Sequence, residues 1–380
     1  MIKVLQFIHG FNMGGAETIV KNYCLNFNKD NIDLYVLCWD RYNSPYDKEL
    51  KDAGINVKYL CDDMPFYGKE KIIFRIINKI QLYVNIKKYI NNLNPDIIHT
   101  HLPVNKYIKF SRPKKNTKIF YTHHFSVEHW KKRFKSEIKK TRWLIDNYDT
   151  TIVALNSKMK DDINNLFNIQ NTIVLNNGIA MDEFFQPMSK NEKRKELNLN
   201  ESTFVVGHVG RFSKIKNHDF LIDVFVEIQK KKKNAILLLV GKGEQKKHII
   251  DKSEKLGIRN NLIILSDRTD IDELMKIMDI LIFPSFSEGV PVTLVEAQAA
   301  GLKCIVSDTI TKEVCYSNLL KYKSIIDSPN DWAREALKWS VDKINYCGIE
   351  KWDLKLIIKE LEDRYTKSLK GDIIAKSTAC

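Results

Sequence analysis

The sequence predicts an α/β protein of two units, each a parallel sheet with helices packed on it in a Rossmann-like arrangement. Short apolar runs that are typical of buried strands alternate with longer helical segments along the chain. This alternation restarts after about residue 180, and 380 residues are too many for one ordinary core. Repeated β-α-β units imply parallel strands, right-handed crossovers and ligand sites at the carboxyl edges of the strands. We therefore expect two lobes with a cleft between them, formed by residues 1–180 and 181–354.

The first lobe opens with an apolar strand followed by a glycine-led helix. Its predicted strands are Lys3–Ile8, Leu34–Trp39, Val57–Leu60, Ile97–His99, Lys118–Thr122, Thr151–Ala154 and Thr172–Leu175. Its predicted helices are Gly14–Asn26, Ile72–Asn91 and Val127–Asp146. Asn176-Asn177-Gly178 predicts the turn at which this lobe ends.

The second lobe repeats the pattern. Its charged opening stretch, Ser189–Glu196, is either a linker or a first helix. The predicted strands are Phe204–Val209, Ala235–Val240, Leu262–Leu265, Ile280–Phe283 and Cys304–Val306. The predicted helices are Asp219–Lys230, Gly243–Lys255, Asp270–Met278 and Val292–Ala300, with a further amphipathic helix at about residues 355–372.

Composition indicates a globular protein of the cytoplasm. Hydrophobic residues make up 44% and aromatic residues 10% of the chain, and no apolar run approaches the roughly 18–20 residues that span a bilayer. The strand pattern begins directly at Met1, so we expect no signal peptide. The seven scattered cysteines form no C-x-x-C pair, which predicts reduced thiols and neither a disulfide framework nor a zinc site.

The net charge of +14 is unevenly distributed. Residues 1–180 carry 28 Lys and Arg against 17 Asp and Glu, so most of the excess lies in the first lobe. Such a surface favours an acidic partner. The sequence contains no recognisable nucleic-acid module, so we expect no nucleic acid and favour the anionic inner face of the cell membrane. A lysine-rich source proteome would explain part of the charge.

Two glutamates frame the most informative stretch of the chain, Glu288 to Gly301. Glu288 follows the predicted strand Ile280–Phe283, and Glu296 lies about a turn into the next helix, for which Pro291 can supply the first residue. The free N–H groups of that helix start favour an anion such as a phosphate. Carboxylates accept charge-assisted hydrogen bonds from hydroxyl groups. A nucleotide sugar fits this pattern, with its diphosphate between the sugar and ribose hydroxyls.

Glu288-x7-Glu296 in this setting resembles the signature of retaining glycosyltransferase family 4, whose members have the GT-B fold. The longer stretch from Gly289 to Val314 resembles a narrower group, the EpsF-like exopolysaccharide and capsule glycosyltransferases. The resemblance runs from Val4 to about Tyr365 and is strongest in the second half. It implies two Rossmann-like domains facing across a cleft, with the helix at 355–372 packing back on the first domain.

The resemblance also assigns catalytic roles. It implies that Arg211 and Lys216, in the loop after Phe204–Val209, stabilise the negative charge of the departing nucleoside diphosphate. Glu288 then holds the hydroxyl groups of the donor sugar, and Glu296 those of the ribose. Two fixed cations make a metal unnecessary, and the sequence has no Asp-x-Asp at a strand end. We therefore expect neither a metal nor a cofactor.

The remaining donor-binding candidates lie in loops after strands and at a helix start. In the first lobe they are Gly14 and Gly15, whose loop resembles that of the family, and His123 or His124, one of which matches a histidine that contacts the donor sugar in relatives; His124 is the preferred candidate. The histidines of Asp96-Ile-Ile-His99-Thr-His101 are expected to be structural. The second-lobe candidates are Gly210, Gly243, Arg268, Gly289, Val290, Pro291, Val292, Thr293 and Leu294.

Two segments have the pattern of basic amphipathic helices. In Val127–Ile145, apolar residues recur at helical spacing among seven Lys and Arg. This segment either binds an anionic membrane surface or packs its apolar stripe inside the domain. Ile72–Ile90 has a similar but weaker pattern.

The combined expectation is a retaining glycosyltransferase that moves a sugar from a nucleotide-diphosphate donor, a UDP-sugar, to a lipid-linked oligosaccharide. It would work in exopolysaccharide, capsule or O-antigen synthesis, in the cytoplasm and peripheral on the inner face of the membrane. Two alternatives stay open. One is a nucleotide-sugar epimerase of similar fold, and the other is a non-catalytic partner subunit with a glycosyltransferase fold.

Overall fold

The computed structural model describes residues 1–64 and 72–371, and the chain divides into two compact units. Unit 1 contains residues 1–177 together with the chain from Leu354 onward, and unit 2 contains Gly178–Asp353. The sequence analysis placed the corresponding junctions after residues 180 and 354. Asp372, the last residue of the helix predicted at 355–372, lies outside the described residues.

Unit 1 is built on a seven-stranded parallel sheet. Its strands are β1 (Ile2–Phe7), β2 (Ile32–Cys38), β3 (Val57–Tyr59), β4 (Ile97–His101), β5 (Lys118–Thr122), β6 (Thr150–Ala154) and β7 (Ile173–Val174). Their order in the sheet is β3-β2-β1-β4-β5-β6-β7. Its first helices are α1 (Gly15–Asn26), α2 (Pro45–Asp52), α3 (Ile72–Leu93), α4 (Asn105–Ser111), α5 (Val127–Arg133), α6 (Lys135–Asn147) and α7 (Ser157–Phe167).

Unit 2 repeats this architecture with a six-stranded parallel sheet. Its strands are β8 (Phe204–Val209), β9 (Ala235–Val240), β10 (Leu262–Leu265), β11 (Ile280–Phe283), β12 (Cys304–Ser307) and β13 (Leu320–Lys323). Their order is β10-β9-β8-β11-β12-β13. Its helices are α8 (Met181–Phe185), α9 (Lys190–Glu196), α10 (His218–Lys231), α11 (Lys246–Lys255), α12 (Ile271–Ile277), α13 (Val292–Ala299) and α14 (Pro329–Lys338).

The strands have the burial expected of parallel sheets covered on both faces. Every residue of β4, β6, β11 and β12 is buried, which explains why β6, β11 and β12 are built of apolar and small hydroxyl-bearing or thiol residues, while β4 buries His99 and His101 as well. In each unit the first strand lies at the centre and the order reverses beside it, between β1 and β4 and between β8 and β11. Ligands of doubly wound sheets bind at such reversals, so these two points are where site residues are expected.

The last helix, α15 (Leu354–Lys370), belongs to unit 1, as the family resemblance implied. Tyr365 is fully buried there, with its ring 4.9 Å from that of Phe120 on β5. The carboxylate of Glu362 accepts a hydrogen bond of 2.7 Å from the backbone N–H of Asn28. Helix α15 is therefore part of the first core.

The segment predicted as one helix, Val127–Asp146, is two helices in the structure. Phe134 lies between α5 and α6 with φ −126° and ψ 37°, outside the helical region. Val127 and Trp130 are buried, and the Trp130 ring lies 5.5 Å from that of Phe167. Of the two interpretations of this segment, packing inside the domain is therefore the one that the structure supports, because these side chains are not available to a membrane.

Several elements were not predicted. Ser189–Glu196, left open as linker or helix, contains α9, while α2, α4, α7, β13 and α14 had no counterpart in the sequence analysis. The strand β13 is the edge strand of the described sheet, where it pairs with β12, and its Lys321 and Lys323 alternate with Leu320 and Tyr322. Lysine is common on edge strands. Because the predicted strands were recognised as runs of apolar residues, a strand that contains two lysines was not recognised. Within the described ranges, no helix is both long and apolar enough to cross a membrane.

Candidate active site

The centre of the candidate site is the reversal point of the second sheet. β8 and β11 are neighbours there, so the loops that follow them start side by side. The first loop contains Arg211 and the short 3₁₀ helix Lys214–Lys216, and the second contains Glu288 and leads into α13. The two loops are joined by a hydrogen bond of 2.8 Å from Phe286 N–H to Ile215 C=O.

Lys216 and Glu288 form an ion pair at this point. Lys216 Nζ lies 2.7 Å from Glu288 Oε1, and the two side chains are only 13% and 15% exposed. The same ammonium lies 4.6 Å from the ring centre of Phe283, the last residue of β11. Partial burial makes such a pair stronger and more fixed than a surface ion pair. The structure thus brings together two predicted residues, although their direct contact was not predicted.

Arg211 is not part of this pair. Its side chain is 78% exposed, and its Nε lies 4.0 Å from Glu244 Oε2. Arg268 is instead held within unit 2, because its Nε donates to Asp270 Oδ1 at 2.7 Å and its Nη2 donates to Glu196 Oε1 at 2.9 Å. Hydrogen bonds from Arg268 lower the pKa of the Asp270 carboxyl well below its usual range. These bonds give Arg268 a structural role that the sequence analysis did not assign to it.

The glycines of this site allow two loops to pack closely. Gly210 N–H donates to Val240 C=O and Phe212 N–H to Lys242 C=O, both at 2.9 Å. At Gly243, with φ 158°, an added Cβ would lie 2.3 Å from Phe212 O, so a larger residue would push the loops apart. An added Cβ at Gly210 would lie 3.5 Å from Lys216 Nζ. Both glycines therefore shape the loop that carries Lys216.

The helix α13 begins at Val292, the first residue of the predicted range, and differs from the sequence analysis in the role of Pro291. Pro291 was predicted at the first helical position and is instead the N-cap, with Val292 as the first helical residue. The sequence analysis expected the N–H groups at this helix start to be free for a phosphate. The N–H of Leu294 instead donates to Pro291 C=O at 2.9 Å. Thr293 and Glu296 are half-buried on the first turns of α13, and Gly289 and Val290 form the loop before it.

Three further residues beside the pair were missed by the sequence analysis. His208 on β8 and Ser285 after β11 are fully buried, and His208 Nε2 and Ser285 Oγ have no hydrogen bond within the described part of the chain. Burial and the charge of Lys216 lower the pKa of His218 to about 4. The sequence offered one signal for His208 and Ser285, namely a polar residue inside or directly after an apolar strand. Such a residue is buried by the sheet, and buried polar atoms without a hydrogen bond are uncommon away from functional sites.

The predicted glycines of unit 1 lie at the start of α1. Gly14 is the N-cap of α1, and an added Cβ there would lie 2.6 Å from Glu17 Oε2. Glu17 Oε1 in turn lies 3.8 Å from His9 Nε2. The Glu17 carboxylate therefore already places a negative charge at the N-terminus of α1. An added Cβ at Gly15 would meet no atom within 4 Å. The space at Gly15 is compatible with the predicted close approach of a phosphate, but the nearby carboxylate opposes it.

His123 and His124 follow β5 but have different surroundings. The ring of His123 is fully buried, packs against Trp130 with centroids 4.1 Å apart and planes tilted by 32°, and leaves Nε2 without a hydrogen bond to any described residue. His124 is half-buried, and its Nε2 lies 3.2 Å from Nδ1 of His101. Burial lowers the pKa of both rings to about 3, so both are neutral. His124 is the more accessible of the two.

No cluster of three or more His, Cys, Asp or Glu side chains that could hold a metal ion occurs among residues 1–64 and 72–371. The expectation of a metal-independent site is not tested by that observation and stays a prediction. The chemistry available at the reversal point of unit 2 is a partly buried cation beside a carboxylate, in front of a helix N-terminus. Such a set can hold a phosphate group and a hydroxyl group close together.

Two protein-family models match the chain and together span most of it. The model described as Glycosyltransferase Family 4 matches residues 13–183, and the model described as Glycosyl transferases group 1 matches residues 189–343. The two Rossmann-like units and the site at the second reversal point agree with these matches. The chain belongs to the glycosyltransferases with the GT-B fold.

Individual relatives place it more narrowly. EpsF of Bacillus subtilis (strain 168), named as a glycosyltransferase, is 28% identical over 322 residues, which are 82% of this chain and 80% of EpsF. The capsular polysaccharide biosynthesis glycosyltransferase CapH of Staphylococcus aureus is 24% identical over 381 residues, covering 96% and 99% of the two chains. The predicted resemblance to the EpsF-like group is confirmed, and by homology the protein is a glycosyltransferase of polysaccharide or capsule biosynthesis.

A third relative and two solved structures complete the comparison. UDP-Gal:alpha-D-GlcNAc-diphosphoundecaprenol alpha-1,3-galactosyltransferase of Escherichia coli is 26% identical over 282 residues, covering 70% of this chain and 72% of that enzyme. Anabaena HepE, solved in complex with UDP-glucose, superposes with a TM-score of 0.73 at 17% identity over 98% of this chain and 100% of HepE. WaaG, a glycosyltransferase involved in lipopolysaccharide biosynthesis, superposes with a TM-score of 0.67 at 17% identity, over 98% and 100%. Identities this low show the shared fold alone.

Proposed function

We propose that this protein is a metal-independent, retaining hexosyltransferase that moves a sugar from a UDP-sugar to a lipid-linked saccharide at the inner face of the cell membrane. The observation that carries the proposal is the ion pair of Lys216 and Glu288, partly buried in front of α13 at the reversal point of the second sheet. A nucleotide sugar offers hydroxyl groups to a carboxylate and a diphosphate to a cation and a helix start.

Lys216 is the main electrostatic catalyst in this proposal. The diphosphate gains negative charge as its bond to the sugar breaks, and a fixed ammonium in a partly dry site stabilises that charge more than water does. Glu288 keeps Lys216 in place and accepts hydrogen bonds from the hydroxyl groups of the sugar. Glu296, on the second turn of α13, binds the ribose hydroxyls.

Arg211 supplies the second cation from an exposed position. Among residues 1–64 and 72–371 its guanidinium has one distant ionic partner, Glu244 at 4.0 Å, so it can turn toward a diphosphate at little cost. The planar fork of an arginine binds two phosphate oxygens at once. Lys216 thus provides a fixed charge and Arg211 a mobile one.

The transfer step needs no nucleophile from the protein. The bond from the anomeric carbon to the diphosphate oxygen breaks, and the acceptor hydroxyl oxygen bonds to the same carbon on the same face. The hydroxyl proton passes to the departing phosphate oxygen, so atoms and charge balance. The retained configuration rests on the resemblance to a retaining family, and same-face attack is the route that it favours.

The relatives support the choice of donor and acceptor class. The name of the E. coli relative states a UDP-Gal donor and a diphosphoundecaprenol-linked acceptor, and HepE was crystallised with UDP-glucose. We carry over the uridine diphosphate and the lipid-linked acceptor, while the identity of the sugar stays open, because single hydrogen bonds separate one hexose from another.

Calorimetric titration with UDP-, GDP- and dTDP-sugars tests the donor. We expect one UDP-sugar to bind, and Arg211→Ala to weaken its binding about tenfold, the loss of roughly one charge-assisted contact. The exposed Arg334 of α14 provides the control, because Arg334→Ala also removes one positive charge but at a position outside the site. Selective binding of a GDP- or dTDP-sugar, or equal binding by the two variants, would contradict this assignment.

An apolar row on α3 supports the membrane part of the proposal. Ile72, Ile76, Ile80 and Val84 recur every four residues along one side of the helix, with Ile73 beside them, and each is more than half exposed. We call these five residues the α3 face. Monomeric proteins rarely leave such a row in water.

The charges of α3 favour an anionic lipid surface as the partner. The helix contains no Asp or Glu, and its basic residues are Arg75, Lys79, Lys87 and Lys88. Apolar side chains flanked by Lys and Arg insert at the headgroup boundary of anionic bilayers, where each basic residue contributes about 1 kcal/mol. A lipid-linked acceptor would be reached from that surface.

Cosedimentation with vesicles tests the α3 face. We expect the protein to bind phosphatidylglycerol-containing vesicles, less so at high salt, and the triple variant Ile73→Ser, Ile76→Ser, Ile80→Ser to bind at least about tenfold more weakly. Ile326→Ser is the control, since Ile326 is 91% exposed but stands outside this face. Unchanged binding by the triple variant, or loss of a dimer in place of lipid binding, would refute the membrane role.

A further inference from the structure

One side chain of α13 is polar and fully buried, and every hydrogen-bonding position of its amide is occupied. Gln298 lies in the last turn of the helix, where its Nε2 donates to Leu294 C=O at 2.9 Å and to Val314 C=O at 2.8 Å. Its Oε1 accepts from Tyr316 N–H at 3.1 Å and from the Ser317 hydroxyl at 2.9 Å. Two donated and two accepted bonds are all that a glutamine side chain can make.

The partners of this amide fix its orientation. The carbonyl groups of Leu294 and Val314 can only accept a hydrogen bond, and the backbone N–H of Tyr316 can only donate one. Reversing the amide would set its oxygen against two carbonyl oxygens and its nitrogen against an N–H group. The four bonds are therefore made together in one orientation and lost in the other.

These bonds join α13 to the chain between β12 and β13. Val314 ends a 3₁₀ helix, Lys312–Val314, and begins the segment 314–317. Tyr316 of this segment is 2% exposed and donates its hydroxyl proton to Val295 C=O at 2.7 Å. The helix and the segment thus each provide a buried side chain that binds the backbone of the other.

The remaining contacts of α13 with its surroundings are less directional. Its other buried side chains are apolar, namely Leu294, Val295, Ala297 and Ala299. Apolar burial depends on area and has no preferred direction, so it permits small shifts of a helix more readily than hydrogen bonds do. A fully satisfied buried amide, in contrast, specifies one arrangement. The four bonds of Gln298 are all made at one position of the helix only.

The position of α13 matters because this helix forms part of the candidate site. Its first residue, Val292, follows the loop that contains Glu288, and Glu296 lies two residues before Gln298. A helix of eight residues moves as a stiff unit, so a shift at Gln298 also displaces Glu296 and the helix start. Displacing a binding group by about 1 Å is enough to lose much of its effect.

We propose that Gln298 is a positioning residue of the donor site, and that its side-chain amide holds α13 where Glu296 and the helix start bind the nucleotide. Gln298 itself does not touch the donor, because it is buried and its bonds are all used within the protein. The inference rests on the proposed function in one respect, namely that the ligand of α13 is a uridine nucleotide.

Calorimetric titration with UDP, which every UDP-sugar contains, tests the position of the helix. Gln298→Met keeps the length of the side chain but makes none of the four bonds. We expect it to raise the Kd for UDP about tenfold, the loss of roughly one hydrogen bond to the ribose.

Trp332→Phe is the matched control. It also removes a buried hydrogen bond from unit 2, the one of 2.9 Å from Trp332 Nε1 to Ser324 C=O, but on α14. We expect both variants to lower the midpoint of thermal unfolding, and Trp332→Phe to leave the Kd for UDP unchanged. Loss of stability and loss of helix position are thereby separated.

Gln298→Glu adds a readout that depends on pH. A protonated carboxyl group can donate to Val314 C=O and accept from Tyr316 N–H as the amide does, whereas a carboxylate would face two carbonyl oxygens. Burial disfavours the charged form and raises the pKa of such a group, so UDP binding should be lost as the pH rises through that pKa. We expect a Kd within about threefold of the wild type at about pH 5.5 and about tenfold above it at about pH 8.5, each compared at the same pH. This variant keeps the test decisive should Gln298→Met fold poorly.

An unchanged Kd in Gln298→Met, an equal loss in Trp332→Phe, or a ratio of the Gln298→Glu Kd to that of the wild type that does not change with pH would overturn the proposal. Failure of the wild type to bind UDP would contradict the proposed function instead. Backbone hydrogen exchange then decides the role of Gln298. We expect faster exchange at residues 294–300 in Gln298→Met than in Trp332→Phe, and equal rates in the two variants would refute the positioning role.

Discussion

Replacing Lys216 by methionine is expected to lower the rate of sugar transfer about 1,000-fold, the upper range for removing one preorganised group that stabilises transition-state charge. Methionine keeps most of the volume and the contact with Phe283 but carries no charge. The loss should appear mainly in kcat, because the charge on the diphosphate develops as the bond breaks. Initial rates of nucleotide release with saturating donor and acceptor measure it.

Lys214 offers a control within the same 3₁₀ helix. Its side chain is exposed and takes part in no described ion pair, whereas Lys216 is 13% exposed and paired. Lys214→Met should therefore retain nearly full activity. Equal losses in both variants would mean that the loop needs positive charge in general and that Lys216 has no special place.

Glu288→Gln is expected to lower kcat about 100-fold, because an amide accepts weaker hydrogen bonds from sugar hydroxyls than a carboxylate does and no longer anchors Lys216. The variant also leaves an ammonium that is 13% exposed without its counter-charge. Full burial would make that loss about 3–5 kcal/mol, and the partial exposure here reduces it. Glu254→Gln, on the exposed surface of α11, removes a carboxylate elsewhere and should be nearly neutral.

The double variant Lys216→Met, Glu288→Gln separates stability from catalysis. It removes both charges, so thermal unfolding should return toward the wild-type midpoint while transfer stays as low as in Lys216→Met. Residues that act as a unit show such non-additive effects. Recovery of activity along with stability would mean that the pair is structural and does not act on the donor.

Most of the two sheets could be predicted from the sequence. The strands β9 and β11 are continuous apolar runs in parallel sheets covered on both faces, which is the strongest local signal that a strand can have. The edge strand β13 was missed because Lys321 and Lys323 interrupt it, so it contains no apolar run. The break at Phe134 was missed because helical spacing continues across it.

The membrane interpretation shows where periodicity fails. The segments at 72–90 and 127–145 share a basic, amphipathic pattern, and the sequence favoured the second. In the structure Trp130 packs inside unit 1, while Ile76 and Ile80 of α3 are more than half exposed. Only the tertiary fold decides which apolar stripe is covered, because both stripes satisfy the same spacing rule.

The site could be predicted as a set of residues but not as a geometry. Lys216 and Glu288 were named from their motifs, yet their contact depends on β8 and β11 being neighbours at the reversal of the sheet. The hydrogen bonds from Gln298 to the segment 314–317 join two parts of the chain that no local pattern links. The hydrogen bonds of Arg268 to Asp270 and Glu196 could not be predicted from the sequence either.

The most direct test of the central claim is the stereochemistry and acceptor dependence of transfer. Purified protein is incubated with a panel of UDP-sugars and a polyprenyl-diphosphate saccharide in anionic vesicles, and products are followed by NMR. We predict release of one UDP per new glycosidic bond, with the anomeric configuration of the donor kept and no reaction without acceptor. An inverted product, or an epimerised nucleotide sugar formed without acceptor, would contradict the account.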